Sequence, residues 1–308
     1  MSGLLVVAGP TGSGKSALAL DLAERFSGEI VNCDSMQLYR GFDIGTAKIL
    51  SLRRRGIPHH LFDVLAPSEG YSAGDYARAA RAVIAGISAR ARLPVVVGGT
   101  GFYLRALLYG LPELPARDET VRARLARRAQ RRPESLHRLL TRLDPPAAQR
   151  IHPNDIQKLI RALEVRLLTR RSAPTPSSAE PLRGYRILQL GLDPDRKSLY
   201  SRLDARVREM FASGLLEEVQ ALLHAGATGA EKPFESLGYK QALRYLRHAC
   251  TLEQAIESTQ IETRQYAKRQ WTWFRRDPNI HWLSGFGDEA SVREHSFHTV
   301  HNFFTNIS

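Results

Sequence analysis

Leu4-Leu5-Val6-Val7-Ala8, running straight into Gly9-Pro10-Thr11-Gly12-Ser13-Gly14-Lys15-Ser16, is the stretch that decides the fold. Five apolar residues make a short buried strand, and Leu18, Leu20 and Leu22 open an apolar-periodic helix just beyond the glycines. Strand, loop and helix in that order are the context that the phosphate-loop pattern GxxxxGK[ST] requires. Glycines let backbone N–H groups turn toward an anion, Lys15 adds a point charge, and the Ser16 hydroxyl suits a magnesium ion. An ordinary strand-to-helix turn is the competing reading, and the complete motif in this context outweighs it. The loop predicts a bound polyphosphate without saying which one.

Outward from that unit, residues 1 to about 115 alternate short apolar runs with helical patterns. A second strand is expected near Glu29–Cys33, a helix over Ala73–Arg90, and a strand over Pro94–Val97 that ends in Gly98-Gly99-Thr100-Gly101. Such alternation predicts an α/β fold, a P-loop NTPase-like parallel sheet wound with helices, whose ligands lie at the carboxyl ends of the strands. From Arg117 to Arg171 the composition shifts to helix formers dense in Arg, with Asn154 or Asp155 able to cap a helix carrying Ile156, Leu159, Ile160, Leu163 and Leu167 at helical spacing. Ser172–Gly184 reads as a loop or hinge, and Arg186–Leu192 alternates like a strand that rejoins the sheet. The expected organisation is a P-loop core over 1–116, a mainly helical insertion over 117–184, and a return to the core over 185–308. Leu199–Leu223 and Leu252–Arg275 read as two further long helices.

Charge narrows the partner. Lys and Arg number 44 against 31 Asp and Glu, a formal charge of +13, so the chain attracts polyanions larger than one nucleotide. The two cysteines, Cys33 and Cys250, encode neither a disulfide framework nor a Cys-based zinc site and fit a reducing cytoplasm. No leader is read ahead of the first strand, and no apolar run approaches the ~18 residues of a membrane span. A soluble cytoplasmic protein is expected.

Asp34 ends the second strand, where its carboxylate can face the crevice above the phosphate loop or cap a helix. A P-loop NTPase commonly ends a neighbouring strand with a magnesium-holding Asp. Here Val95-Val96-Val97 runs into glycines, which lowers the expectation of routine ATP hydrolysis. Those glycines suit either close backbone approach to a ligand or a tight turn. Arg117, Arg122, Arg124, Arg127, Arg128, Arg131 and Arg132 suit a solvated face or phosphate contact. Arg264, Lys268, Arg269, Arg275 and Arg276, interleaved with Tyr266, Trp271, Trp273 and Phe274, suit nucleic acid or an amphipathic helix with buried aromatics. His295, His298 and His301 have no further ligand in the sequence pattern and are read as tail residues.

Several strings taken together resemble one family, the bacterial-type tRNA dimethylallyltransferases, also called tRNA isopentenyltransferases. They are the phosphate loop; Asp34–Gly41 with Asp43–Lys48; His59-His60-Leu61 with Asp63; Gly98–Leu104; His152–Asp155 with Arg161–Val165; Gly238-Tyr239-Lys240; and Thr263–Gln265 with Ala267–Gln270. The resemblance covers nearly the whole chain in order. It implies transfer of a dimethylallyl group from dimethylallyl diphosphate to N6 of the adenosine 3′-adjacent to a tRNA anticodon. By the same resemblance Asp34, Thr100 and Arg206 are catalytic, and the diphosphate rests on Gly9, Pro10, Thr11, Gly12, Ser13, Gly14, Lys15 and Ser16. Magnesium would sit on Ser16. Positions implied to contact tRNA are Asp34, Ser35, Met36 and Gln37; Arg122; Gln157, Lys158, Leu159, Ile160 and Arg161; and Ser236, Leu237, Gly238, Tyr239 and Lys240. The enzyme is expected to act as a monomer on the anticodon stem-loop. The Cys and His cluster of members with a C-terminal zinc finger is missing, and nothing is transferred to residues from Gly285 onward. A P-loop kinase or a prenyltransferase acting on free adenine nucleotides is the alternative reading.

Overall fold

A computed structural model describes residues 2–112, 114–132, 134–172 and 179–305. Its centre is a parallel six-stranded sheet formed by β1 (Ser2–Ala8), β2 (Gly28–Asn32), β3 (His59–His60), β4 (Leu93–Val97), β5 (Tyr185–Asp193) and β6 (Ile280–Ser284), in the order β3-β2-β4-β1-β5-β6. β1 lies between β4 and β5, with Val6 level with Val96 on one side and Gln189 on the other. A strand buried on both faces needs an unbroken apolar run, which is why Leu4 to Ala8 do not alternate. The expected return of the chain to the sheet is β5, bonded to β1 along Ser2–Ala8.

Helix α1 (Lys15–Arg25) and the last helix, which spans Ala290–Thr305, cover one face, where Leu18 and Leu22 share a core with Leu5, Val7, Val95, Val97, Val292 and Val300. The alternate residues Leu4, Val6 and Val96 are as deeply buried on the other face, since successive strand side chains point to opposite sides. Helix α2 (Ala73–Ala89) packs on β2 and β4 and starts at a capping box, Ser72 with Asp75. Helix α3 (Gly101–Tyr109) follows β4 directly.

The chain divides into two compact units, Met1–Leu108 with Leu182–Ser308, and Tyr109–Pro181. The second unit holds α4 (Glu119–Arg131), α5 (Ser135–Leu143), α6 (Pro145–Arg150) and α7 (Ile156–Thr169) around a core of Leu125, Leu136, Leu140, Leu159 and Leu163. Aspartates cap three of these helices: Asp118 accepts from the Val121 N–H, Asp144 from Ala147, and Asp155 from Lys158. Of the two capping candidates near α7, Asp155 does the work. Residues 173–178 of the expected hinge lie outside the described residues.

Two expectations are corrected. The long helix expected over Leu199–Leu223 is two helices, α8 (Arg196–Ala212) and α9 (Leu215–His224), separated at Gly214, whose φ of +104° only glycine adopts freely. Beyond α10 (Tyr239–Leu246), α11 (Leu252–Phe274) and β6, the residues from Gly285 read as a tail form α12 (Ala290–Thr305), which packs into the core of the sheet. His295, His298 and His301 lie on the exposed side of α12, while Val292, Ser296 and Val300 face inward.

Candidate active site

The phosphate loop turns at Gly9, Gly12 and Gly14, all with positive φ. Close packing adds a second reason for glycine at two of them. A Cβ on Gly12 would stand 2.6 Å from Leu203 Cδ2 of α8, and one on Gly14 would stand 2.7 Å from Asp288 Oδ1. Ser13 is buried and donates its hydroxyl to Pro10 O at 2.8 Å, so it stiffens the turn. Thr11, Gly12, Gly14, Lys15 and Ser16 line a cavity of about 340 Å³ together with Asp34, Arg202 and Arg206. Gly9, Pro10 and Ser13 build the loop from behind.

Lys15 is half-buried and donates Nζ to Pro10 O at 2.5 Å. Burial pushes its ammonium down to about 7; Asp34 opposes that fall, and Arg206 adds to it. Burial likewise lowers Arg206, which reaches Thr11 Oγ1 at 3.4 Å. The cavity therefore holds cations at a cost that an incoming anion would relieve.

Asp34 stands on the loop after β2, and no helix starts there. The buried Asn32 accepts from the Asp34 N–H at 2.8 Å and donates to Asp34 O at 3.0 Å and Leu61 O at 2.8 Å. Asp34 Oδ1 in turn accepts from the Met36 N–H at 2.9 Å, a local turn of the kind aspartate favours. A second cavity, of about 400 Å³, is lined by Ser35, Met36, Ser236, Leu237, Tyr266 and Arg269 among others. The two cavities share Thr11, Asp34, Thr46 and Arg206. One carboxylate thus borders both the phosphate loop and a larger, less polar recess.

Thr100 lines neither cavity. Its Oγ1 accepts from the Ser35 N–H at 3.0 Å and holds the Asp34 loop in place. Packing requires glycine around it, since a Cβ on Gly98 would lie 2.2 Å from the Cys33 backbone and one on Gly101 2.1 Å from Trp273, while Gly98 and Gly99 also line the first cavity. Gly99 admits Gln270 of α11, which donates to Gly99 O at 2.9 Å and accepts from the Thr11 N–H at 2.7 Å.

Among the residues expected to contact RNA, Gln37 lines the first cavity and ties its amide to Thr46 O at 3.0 Å. Three of these side chains are internal. Leu159 and Ile160 are in the core of the helical unit, where the apolar face of α7 must lie. Tyr239 is fully buried, stacked in the place a Cβ on Gly45 would occupy, with its hydroxyl bonded to Glu218 and accepting from the Gly45 N–H at 3.1 Å. The Gly238 N–H is taken by Gln241 Oε1 at 3.0 Å, and Lys240 is exposed, 3.5 Å from Glu262. Gln157 and Lys158 are exposed. Arg122 and Arg161 both reach the buried Glu164, at 3.1 and 2.6 Å.

Sequence reasoning missed Arg202, Gln270 and Thr46. Arg202 and Arg206 are four apart on α8, a spacing that places them on one helix face and was the available signal. Gln270 closes one of the strings that carry the family resemblance, but nothing in that string gave it a role. Among the described residues no group of three or more His, Cys, Asp or Glu is placed to hold a metal, and no helix is long and apolar enough to cross a membrane.

Residues 37–277 match the family model described as IPP transferase. A tRNA dimethylallyltransferase of Solibacter usitatus is 58% identical over 302 residues, covering 97% of this chain and 98% of its own, and one from Koribacter versatilis is 55% identical, covering 94% and 95%. The crystal structure of the full-length tRNA isopentenylpyrophosphate transferase of Bacillus halodurans is 37% identical with a TM-score of 0.72, covering 99% of this chain and 96% of that one. A eukaryotic dimethylallyltransferase, described as acting on tRNA, is 29% identical with a TM-score of 0.84, over 99% of this chain and 80% of that one. A family model that matches most of the chain and 55–58% identity to relatives over nearly its whole length carry one conclusion: this chain belongs to the IPP transferase family, the tRNA dimethylallyltransferases.

Proposed function

We infer that this protein transfers a dimethylallyl group from dimethylallyl diphosphate to N6 of the adenosine 3′-adjacent to the anticodon of a tRNA. The observation that carries the reading is the meeting of the two cavities at Asp34 and Arg206. In this reading the diphosphate rests on the phosphate loop, and the adenine enters from the larger recess. The C1–O bond of the allyl donor breaks, and diphosphate leaves with the electron pair. N6 forms the new bond to C1, and its proton passes to the Asp34 carboxylate. Lys15 and Arg206 stabilise the charge growing on the leaving oxygen.

Magnesium belongs to the same reading, and the donors present suit it. The Ser16 hydroxyl is a hard oxygen donor on the cavity of the phosphate loop, and magnesium takes few protein ligands beside substrate phosphates. When bound it would neutralise charge on the diphosphate oxygens. The adenine must leave its stack, at a cost of a few kcal/mol that is smaller in a loop than in a duplex. The enzyme acts as a monomer in this scheme.

The test incubates the protein and dimethylallyl diphosphate separately with unmodified tRNA, AMP and ATP and follows prenyl mass on each. Mass on tRNA at the adenosine beside the anticodon is expected. Mass on AMP or ATP, with none on tRNA, would overturn the reading in favour of a free-nucleotide substrate.

A further inference from the structure

We propose that Arg202 is a further ligand of the donor's diphosphate, and that the loop Gly285–Asp288, through Asp288, is the element that positions it. The proposal rests on the reading of the first cavity as a diphosphate site. It assigns a role to a segment that lies beyond the matched family region, residues 37–277, and that the sequence left without one.

Four observations converge on it. Arg202 lines the cavity of the phosphate loop beside Lys15 and Arg206. It stands one helical turn before Arg206 on α8, so both guanidinium groups project from one face while Leu199 and Leu203 of the same helix are buried, with Leu203 against Gly12. Its guanidinium is then fixed from behind. Nη1 and Nη2 donate to the two Asp288 oxygens at 2.9 and 2.6 Å, and the group lies over the Phe286 ring at 4.7 Å. The loop carrying these partners is itself fastened to the phosphate loop: the Gly287 N–H donates to Ser13 O at 2.8 Å, and Asp288 occupies the space a Gly14 side chain would need.

The geometry of arginine makes the two roles compatible. A guanidinium has five N–H donors, and an end-on carboxylate uses two of them. The remaining donors stay available to phosphate oxygens while the pair holds the plane in one orientation. Less rotamer freedom is then lost when the anion arrives. The phosphate loop alone offers backbone N–H groups and Lys15, and one of those N–H groups, that of Thr11, is already taken by Gln270. Cations from α8 supply what the loop lacks.

The test measures binding of inorganic pyrophosphate to the full-length protein by calorimetry, with tRNA affinity and thermal unfolding recorded for each variant. Arg202→Gln is expected to weaken pyrophosphate about tenfold to a hundredfold, the range for a charge-assisted hydrogen bond. Arg202→Lys should recover part of that loss. Asp288→Asn should weaken it about threefold to tenfold by freeing the guanidinium, with the melting temperature and tRNA affinity unchanged. Wild-type pyrophosphate affinity in folded Arg202→Gln, with affinity lost in Lys15→Ala, would overturn the proposal and leave the diphosphate site standing. Wild-type affinity in both variants would overturn the proposal together with the reading beneath it.

Discussion

The two units handle their cations in opposite ways. In the sheet unit, Lys15 and Arg206 converge on one cavity and repel each other, with Asp34 the carboxylate that partly offsets them. In the helical unit, Arg122 and Arg161 converge on the fully buried Glu164, whose other oxygen accepts from the Asp118 N–H at 2.8 Å. The first arrangement is destabilised until an anion enters. The second brings its own anion and holds two helices, α4 and α7, together. Two pairs of basic residues that the fold brings together are thus a ligand site and a structural tie, and the difference lies in where the nearest carboxylate is placed.

The comparison can be broken most severely at Asp34. If the sheet unit carries the chemistry, Asp34→Ala should lower single-turnover prenyl transfer about 10²–10⁴-fold with tRNA affinity retained. A near-normal single-turnover rate would remove the residue from the reaction.

Lys15 gives the next largest effect, and it has a sign. The free ammonium titrates near 7, and a bound diphosphate favours the charged form. Binding of pyrophosphate at pH 8 should therefore take up a proton, about one or less, and affinity should fall as the pH rises above 7. Calorimetry in two buffers of different ionisation enthalpy reads the uptake, which Lys15→Met should abolish. The folded value lies below the ordinary lysine value of 10.5, so the unfolded chain binds more protons between the two. Stability of the unliganded protein contributed by this group should then rise with pH across that window.

Glu164→Gln tests the structural tie. Burial pushes the Glu164 carboxyl up, but hydrogen bonds from Arg161, the Asp118 amide and Arg122 outweigh it, and the net direction is down. A depressed carboxyl contributes stability that is present above its unfolded value and lost as the pH falls through the folded one. The variant should lose about 1–3 kcal/mol at neutral pH and show a flatter acid limb in thermal unfolding. Pyrophosphate affinity should not move.

The smallest effect expected is at Lys158. It is exposed, with Asp155 as a local partner, and a phosphate contact there would act through counterion release. Lys158→Ala should weaken tRNA binding modestly and reduce the salt slope by up to about one unit. A larger loss for Arg122→Ala, accompanied by a lower melting temperature, would show how far RNA contact and structural tie overlap at Glu164.

Local chemistry was enough for the sequence to determine the strand, phosphate loop and first helix, because the apolar run, the glycines and Lys15 lie within a dozen residues of one another. It also determined the parallel α/β class and the helical insertion, both set by short-range periodicity, and narrowed the cap of α7 to Asn154 or Asp155. Tertiary structure alone decided the rest. Gln270 reaches Thr11 and Gly99, and Asp288 reaches Arg202, only because α11 and the last loop fold back on the sheet across hundreds or tens of residues. Burial was equally invisible beforehand: Tyr239, Leu159 and Ile160 sit within strings shared with the family, yet a shared string does not say which of its side chains faces solvent. That choice belongs to packing, which places each apolar face against whatever neighbour the fold supplies.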